Sequence, residues 1–221
     1  KETVIPDGNF PPEIAAIFTT KCATSGCHNA QSFANAGGLR LDSWEHLFNG
    51  GNNGAVAIPY NIGNSSLLYF LNTDSSFGPI AVPTMPLHQP ALSQEEYLAV
   101  RDWVAGGAPD KNGNIPFADN PDTRQKIYLT QQGCDLLAVI DGEKKVVMRY
   151  LPIGMSAATE APHCVRVDAA GRYAYVSFIG GQYIQKIDTR TDALVASLYI
   201  GNGSWNIIHL SGDGTQMMVS D

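Results

Sequence analysis

The segment CATSGCHNA (22–30) sets two thiols, Cys22 and Cys27, with four residues between them and an imidazole, His28, directly after the second. Three chemistries use such a set. Covalent attachment of a c-type haem needs two thiols that reach the two vinyl groups of one porphyrin, and a His placed to turn under the iron. The usual spacing is two residues, and here the extra pair can bulge away without moving His28 relative to Cys27. A zinc ion could instead take both thiolates with His46 or His88. A local disulfide between Cys22 and Cys27 would leave His28 a bystander.

These residues need elements to hold them, and the first half of the chain reads as helical. Pro11 and Pro12 mark a helix start, followed by Ile14, Ile17 and Phe18 on one face. Ser93 and Glu96 have the capping-box spacing ahead of Tyr97, Val100, Trp103 and Val104, and Gly106, Gly107 and Pro109 stop that helix. Shorter helical pieces are expected at 43–49 and 65–71, between loops rich in Gly, Asn and Pro. A small helical domain with so much irregular chain is expected to be filled at its centre by something other than its own side chains. A stretch dense in Gly, Pro, Asn and Asp at 106–124 divides the chain, with the linker placed at 110–124. Asp110, Asn112 and Asn114 imitate the first half of a calcium loop, but Ile115 stands where Gly is needed and Pro121 where the bidentate Glu belongs, so a turn is expected.

After the linker the hydrophobic period changes to two. Tyr128, Asp141 and Gly154 recur as Tyr175, Asp188 and Gly201 at an offset of 47 residues, and Gly171 and Val176 recur as Gly214 and Val219 at an offset of 43. Four short strands per repeat suggest β-propeller blades, about two of them in 125–221. Closure needs at least about four, so the chain reads as an N-terminal portion of a longer protein. The expected fold class is therefore multidomain: an all-α domain over 1–109, then all-β propeller repeats over 125–221.

Charge and hydropathy exclude several partners. Lys and Arg number 14 against 21 Asp and Glu, giving a net charge of −7, the wrong sign for binding nucleic acid. No stretch has the ~18 uninterrupted apolar residues of a membrane span. Lys1, Glu2 and Thr3 do not open a signal peptide, so the chain reads as exported with its signal sequence already removed.

The first half also carries a family resemblance. GGLRLDSWEHLFNGG (37–51), the loop around Pro59, NSSLLYFLN (64–72), Met85-Pro86 and LSQEEYLAVRDWVAGGAP (92–109) resemble the planctomycete-type cytochrome c domains over residues 10–109. That resemblance implies one covalent haem c on Cys22 and Cys27, with His28 as proximal ligand and Met85 as distal ligand. His88 and His46 are the alternatives for the distal position. It further implies that the Pro59 carbonyl receives the His28 ring N–H, and that Arg40 and Trp44 face the propionates.

KIYLT (126–130), PHCVRVDAAGRYAYVSF (162–178) and YIQKIDTRT (183–191) resemble YVTN-type β-propellers. The blade arrangement implies a Cys134–Cys164 disulfide between adjacent blades, in an oxidising compartment such as the periplasm or cell surface. His163 stands where cytochrome cd-like nitrite reductases ligate a second haem, with Asn206 at the equivalent place in the next repeat. Electron transfer to a redox partner with a basic patch is the expectation. The alternatives are an electron-entry domain of a propeller oxidoreductase, and a propeller-based binding or scaffold module.

Overall fold

A computed structural model describes residues 7–118 and 124–221. The expected linker is therefore described only up to 118 and from 124, and Lys1 to Thr3 lie outside the described residues.

The chain divides into two compact units, one over the residues up to 118 together with 144–148, the other over 124–143 and 149–221. The first unit is strung on four short helices, α1 (Pro12–Ile17), α2 (Trp44–Leu47), α3 (Ser66–Leu71) and α4 (Gln94–Ala105). Proline at the start of α1 supplies the helical φ where no N–H partner exists. Ser43 caps α2, its hydroxyl accepting from the His46 N–H at 3.2 Å. At α4 the Ser93 hydroxyl accepts from Glu96 N at 3.2 Å while the Glu96 carboxylate accepts from Ser93 N at 2.8 Å, the reciprocal capping box. Phe10, Phe18 and Trp103 meet edge to face with ring centroids 5.1–6.1 Å apart. With Val100, Val104 and Leu47, all buried, they make the core that fixes α1 against α4.

The second unit is antiparallel. Strands β1 (Lys126–Gln131), β2 (Leu136–Asp141) and β3 (Val147–Pro152) form one sheet; β4 (Pro162–Val167), β5 (Tyr173–Phe178), β6 (Tyr183–Asp188) and β7 (Ala193–Tyr199) a second; β8 (Ile207–Leu210) and β9 (Met217–Ser220) a third. Leu137, Ile153, Ala174, Val176, Phe178 and Ile187 share one buried cluster across the first two sheets. Cys164, Ile184 and Ile208 share another across the second and third.

This corrects the expected fold class. Only 20% of the residues are helical and 25% are in strands, so the N-terminal part is not an all-α domain. The reason is visible in the sequence: the 3.6-residue period lasts one or two turns in 12–18, 43–49 and 65–71, then meets Gly, Pro or Asn. The sheets are separate and antiparallel and do not close into a propeller. Period-two patterning specifies strands and hairpins, but closure depends on how many sheets meet, which no local pattern encodes.

Candidate functional site

Cys22 is delivered by a departure from α-helical geometry. Directly after α1, residues Phe18–Cys22 form one π-helical turn, closed by Ala23 N donating to Phe18 O at 2.7 Å. Thr19 and Thr20 turn their hydroxyls back onto the carbonyls of Ala15 and Ala16 at 2.5 and 2.6 Å, the local competition that bends a helix end. The turn carries Cys22 into the interior. Burial, with the neighbouring Cys27 adding to it, pushes the Cys22 thiol up to about 12. Cys22 is thus a neutral thiol with no nucleophilic activation.

The four residues between the thiols form a loop. Gly26 takes φ +81°, a conformation that costs a residue with Cβ but not glycine. Cys27 N donates to Thr24 O at 3.0 Å and His28 N donates to Cys22 O at 3.0 Å. The second bond brings His28 back against Cys22, so the two additional residues are absorbed in the bulge. The His28 ring is held from the other side, its Nδ1 3.1 Å from the Leu39 carbonyl. A carbonyl can only accept, so Nδ1 carries the proton and the Nε2 lone pair is left for a ligand. Leu41 N also donates to His28 O at 2.8 Å, clamping the 37–43 loop onto the histidine.

Leu39 therefore does what was expected of Pro59. Pro59 is buried in a segment tied elsewhere, with Ile58 N donating to Ser65 Oγ at 2.9 Å and Tyr60 N to Val104 O at 3.0 Å. Arg40 and Trp44 make their bonds within the first unit. Arg40 forks onto Asp42 with N···O distances of 3.1 and 2.6 Å and lies 5.8 Å from the Phe33 ring centroid. Trp44 Nε1 donates to Ala108 O at 2.9 Å. Burial raises the Asp42 pKa, but Arg40 and then His46 outweigh it and hold the carboxyl below its ordinary range. His46 Nδ1 lies 3.0 Å from Asp42 and 2.8 Å from Ser43 Oγ, so this imidazole is already engaged. His88 is exposed on the loop before α4.

Met85 is half-buried, its N–H donating to Phe70 O in α3 at 2.8 Å. Around it the chain shows apolar side chains to solvent: Val82 is 82% exposed, Ile80 and Leu87 about half that. Single exposed apolar residues need no explanation, but a thioether amid several on one loop is a surface suited to a large apolar group. A second anchor was not legible in advance. Lys21, next to Cys22, bonds Glu96 of the α4 cap at 2.5 Å, so the cap also fixes the approach to the first thiol. The capping box was visible in the sequence, whereas its partner 75 residues away was not.

In the second unit the expected Cys134–Cys164 bridge is absent: all four cysteines are free. Cys134 is exposed in the β1–β2 turn, while Cys164 is buried beside Ile184 and Ile208. The pairing inferred from neighbouring turns ignored the direction of the Cys164 side chain, which joins the apolar cluster. His163 is exposed at the start of β4, and the amide of Asn206 is turned to Ser204 O at 2.8 Å. Among the described residues no three His, Cys, Asp or Glu side chains gather as a metal-ion site, and no helix is long and apolar enough to cross a membrane.

No protein-family model matches the chain, and none of the curated proteins does. Among solved structures it is similar to hydrazine synthase of Kuenenia stuttgartiensis, at 23% identity and a TM-score of 0.39, over 42% of this chain and 26% of that one. It is also similar to a functionally unknown protein from Desulfotomaculum acetoxidans, at 19% identity and a TM-score of 0.34, over 48% of this chain and 36% of that one. The chain thus spans between a quarter and two fifths of the length of these proteins. Likenesses this partial and this loose carry no argument about function.

Proposed function

We propose that this chain is an electron-transfer protein with one covalently held haem c, attached through Cys22 and Cys27 and ligated by His28 and Met85. The observation that supports it most is the double hold on His28. Its backbone N–H returns to Cys22 O across the four-residue bulge, and its Nδ1 is fixed by Leu39 O. The donor set fits the group: two thiols, an imidazole with a free Nε2, and a thioether on a loop that exposes apolar side chains. Bound there, haem supplies a one-electron couple, and thioether ligation favours its reduced state. The chain's own residues perform three tasks. Leu39 O sets the tautomer of His28, the Lys21–Glu96 pair positions the turn that presents Cys22, and Phe70 O anchors Met85. The net charge of −7 favours a redox partner with a basic patch and a rate of association that falls with salt. Covalent haem c places the protein in the periplasm or outside the cell.

The test is a pyridine haemochrome assay with denaturing electrophoresis on protein produced in cells that mature c-type haem. Haem should stay with the polypeptide through denaturation, and the paired substitution Cys22→Ala with Cys27→Ala should release it. Met85→Ala should leave attachment intact but lower the reduction potential. Wild-type protein that carries no haem, or loses it on denaturation, overturns the reading.

A further inference from the structure

We infer that the second unit carries a binding site for a small organic carboxylate, in the open groove of about 360 Å³ where β1, β4 and β8 come together. Its polar lining comes from Thr130, His163, Arg166 and Asn206, and its apolar walls from Leu129, Val165 and Ile207. No Asp or Glu lines it, although the chain as a whole is acidic.

The histidine is set there by an irregularity in the sheet. The β4–β5 register shifts between Pro162 and Cys164, so His163 is the extra residue of a β-bulge, a device that re-aims a side chain. Its Nδ1 faces the side-chain amide nitrogen of Gln132. An amide nitrogen only donates, so Nδ1 accepts and the ring proton sits on Nε2, making that atom a donor. Thr130 ties the same residue down, its hydroxyl donating to His163 O at 3.2 Å.

Arg166 supplies the charge. Its guanidinium makes one hydrogen bond, from Nη1 to Val165 O at 3.2 Å, and among the described residues no carboxylate pairs with it. Most of its fork of donors is therefore uncommitted, and that fork matches a carboxylate bidentately. The carboxylate that Tyr128 binds is already compensated. Asp192 accepts from the Tyr128 hydroxyl at 2.6 Å and is paired with Lys126 at 2.9 Å and Arg149 at 3.4 Å. With Thr130 and Asn206 tied to backbone carbonyls, the groove offers the Arg166 fork and the His163 Nε2–H to a head group, and aliphatic side chains to the body attached to it. A bare inorganic anion would leave those walls unused.

Benzoate is a suitable probe, titrated calorimetrically into the full chain, with benzyl alcohol as the neutral isostere and inorganic phosphate as the anion without an apolar body. Benzoate should bind saturably and more tightly than either. Arg166→Ala should weaken it about tenfold or more, the scale of a charge-assisted hydrogen bond, and Arg166→Lys less. Arg166 is exposed, so these variants should keep the wild-type melting temperature. His163→Ala should weaken binding without abolishing it. The inference is overturned if benzoate does not saturate, if benzyl alcohol or phosphate binds as well, or if Arg166→Ala titrates like the wild type.

Discussion

At the scale of single residues, satisfaction of polar groups decides what each one does. Asp110 shows this at the end of the first unit. Its carboxylate accepts from the N–H groups of Asn112 and Asn114 at 2.8 Å each and from the Asn114 amide at 2.9 Å. The Asn114 bonds, ahead of those from Asn112, bring its pKa from 3.8 to about 2. A carboxyl held low in the folded state stabilises the fold above its unfolded pKa, and that contribution is lost as pH falls from about 4 towards 2. Acid unfolding followed by circular dichroism should therefore be steep in that window, and flatter in Asp110→Asn. The sequence suggested a turn here, and Gly113 N donating to Asp110 O with Asp110 N donating to Asn114 O closes one; the Asp, Asn and Gly that set it are side-chain facts. Pro59 was given the role of Leu39 for the opposite reason. An Arg beside an Asp, a Trp N–H and a proline carbonyl look the same in sequence whether they face a cofactor or close their bonds locally, and backbone acceptors such as Leu39 O leave no side-chain signature.

At the scale of elements, α4 has two tasks that meet at one carboxylate. Glu96 closes the capping box with Ser93 and also binds Lys21 beside the first thiol. Ser93→Ala should cost about 1 kcal/mol of stability in chemical denaturation and leave the approach to Cys22 unchanged. Glu96→Gln keeps the cap acceptor but removes the charge opposite Lys21. It should cost less stability than Ser93→Ala, because ion pairs of this exposure are worth about 0–1 kcal/mol. A Glu96→Gln variant that melts far below Ser93→Ala would show that the ion pair, not the cap, is the main support. Helix positions were largely legible, since caps and Pro or Gly stops are local. Helix content was not, because one turn of amphipathic pattern cannot tell a short helix on an irregular loop from part of an all-α bundle.

At the scale of the whole molecule, the sheets of the second unit are joined by buried polar side chains as much as by apolar ones. Lys126 on β1 reaches Asp192 in the β6–β7 turn, with side-chain exposures of 7% and 1%. Asp135 accepts from the N–H groups of Glu160 and Ala161 at 2.8 and 2.9 Å, and Gln185 exchanges two bonds with Gly154. Asp192→Ala strands a buried ammonium and should destabilise the unit by about 3–5 kcal/mol in denaturant titration. A loss under 1 kcal/mol would mean that Lys126 finds water instead. The repeat announced that similar sheets follow one another, but these cross-ties join residues about 25–66 positions apart, beyond the reach of periodicity. The small cluster beneath the last sheet has a practical side. Cys164 is shielded by Ile208 from β8, while Cys134 lies open to solvent. In a native alkylation time course read by intact mass, Cys134 should be tagged promptly and Cys164 only when β8 and β9 lift away. Ile208→Ala should hasten the second tag and leave the first unchanged. The molecule thus contains a fast thiol as internal standard and a slow one as a gauge, which together time the breathing of its terminal hairpin without any added label.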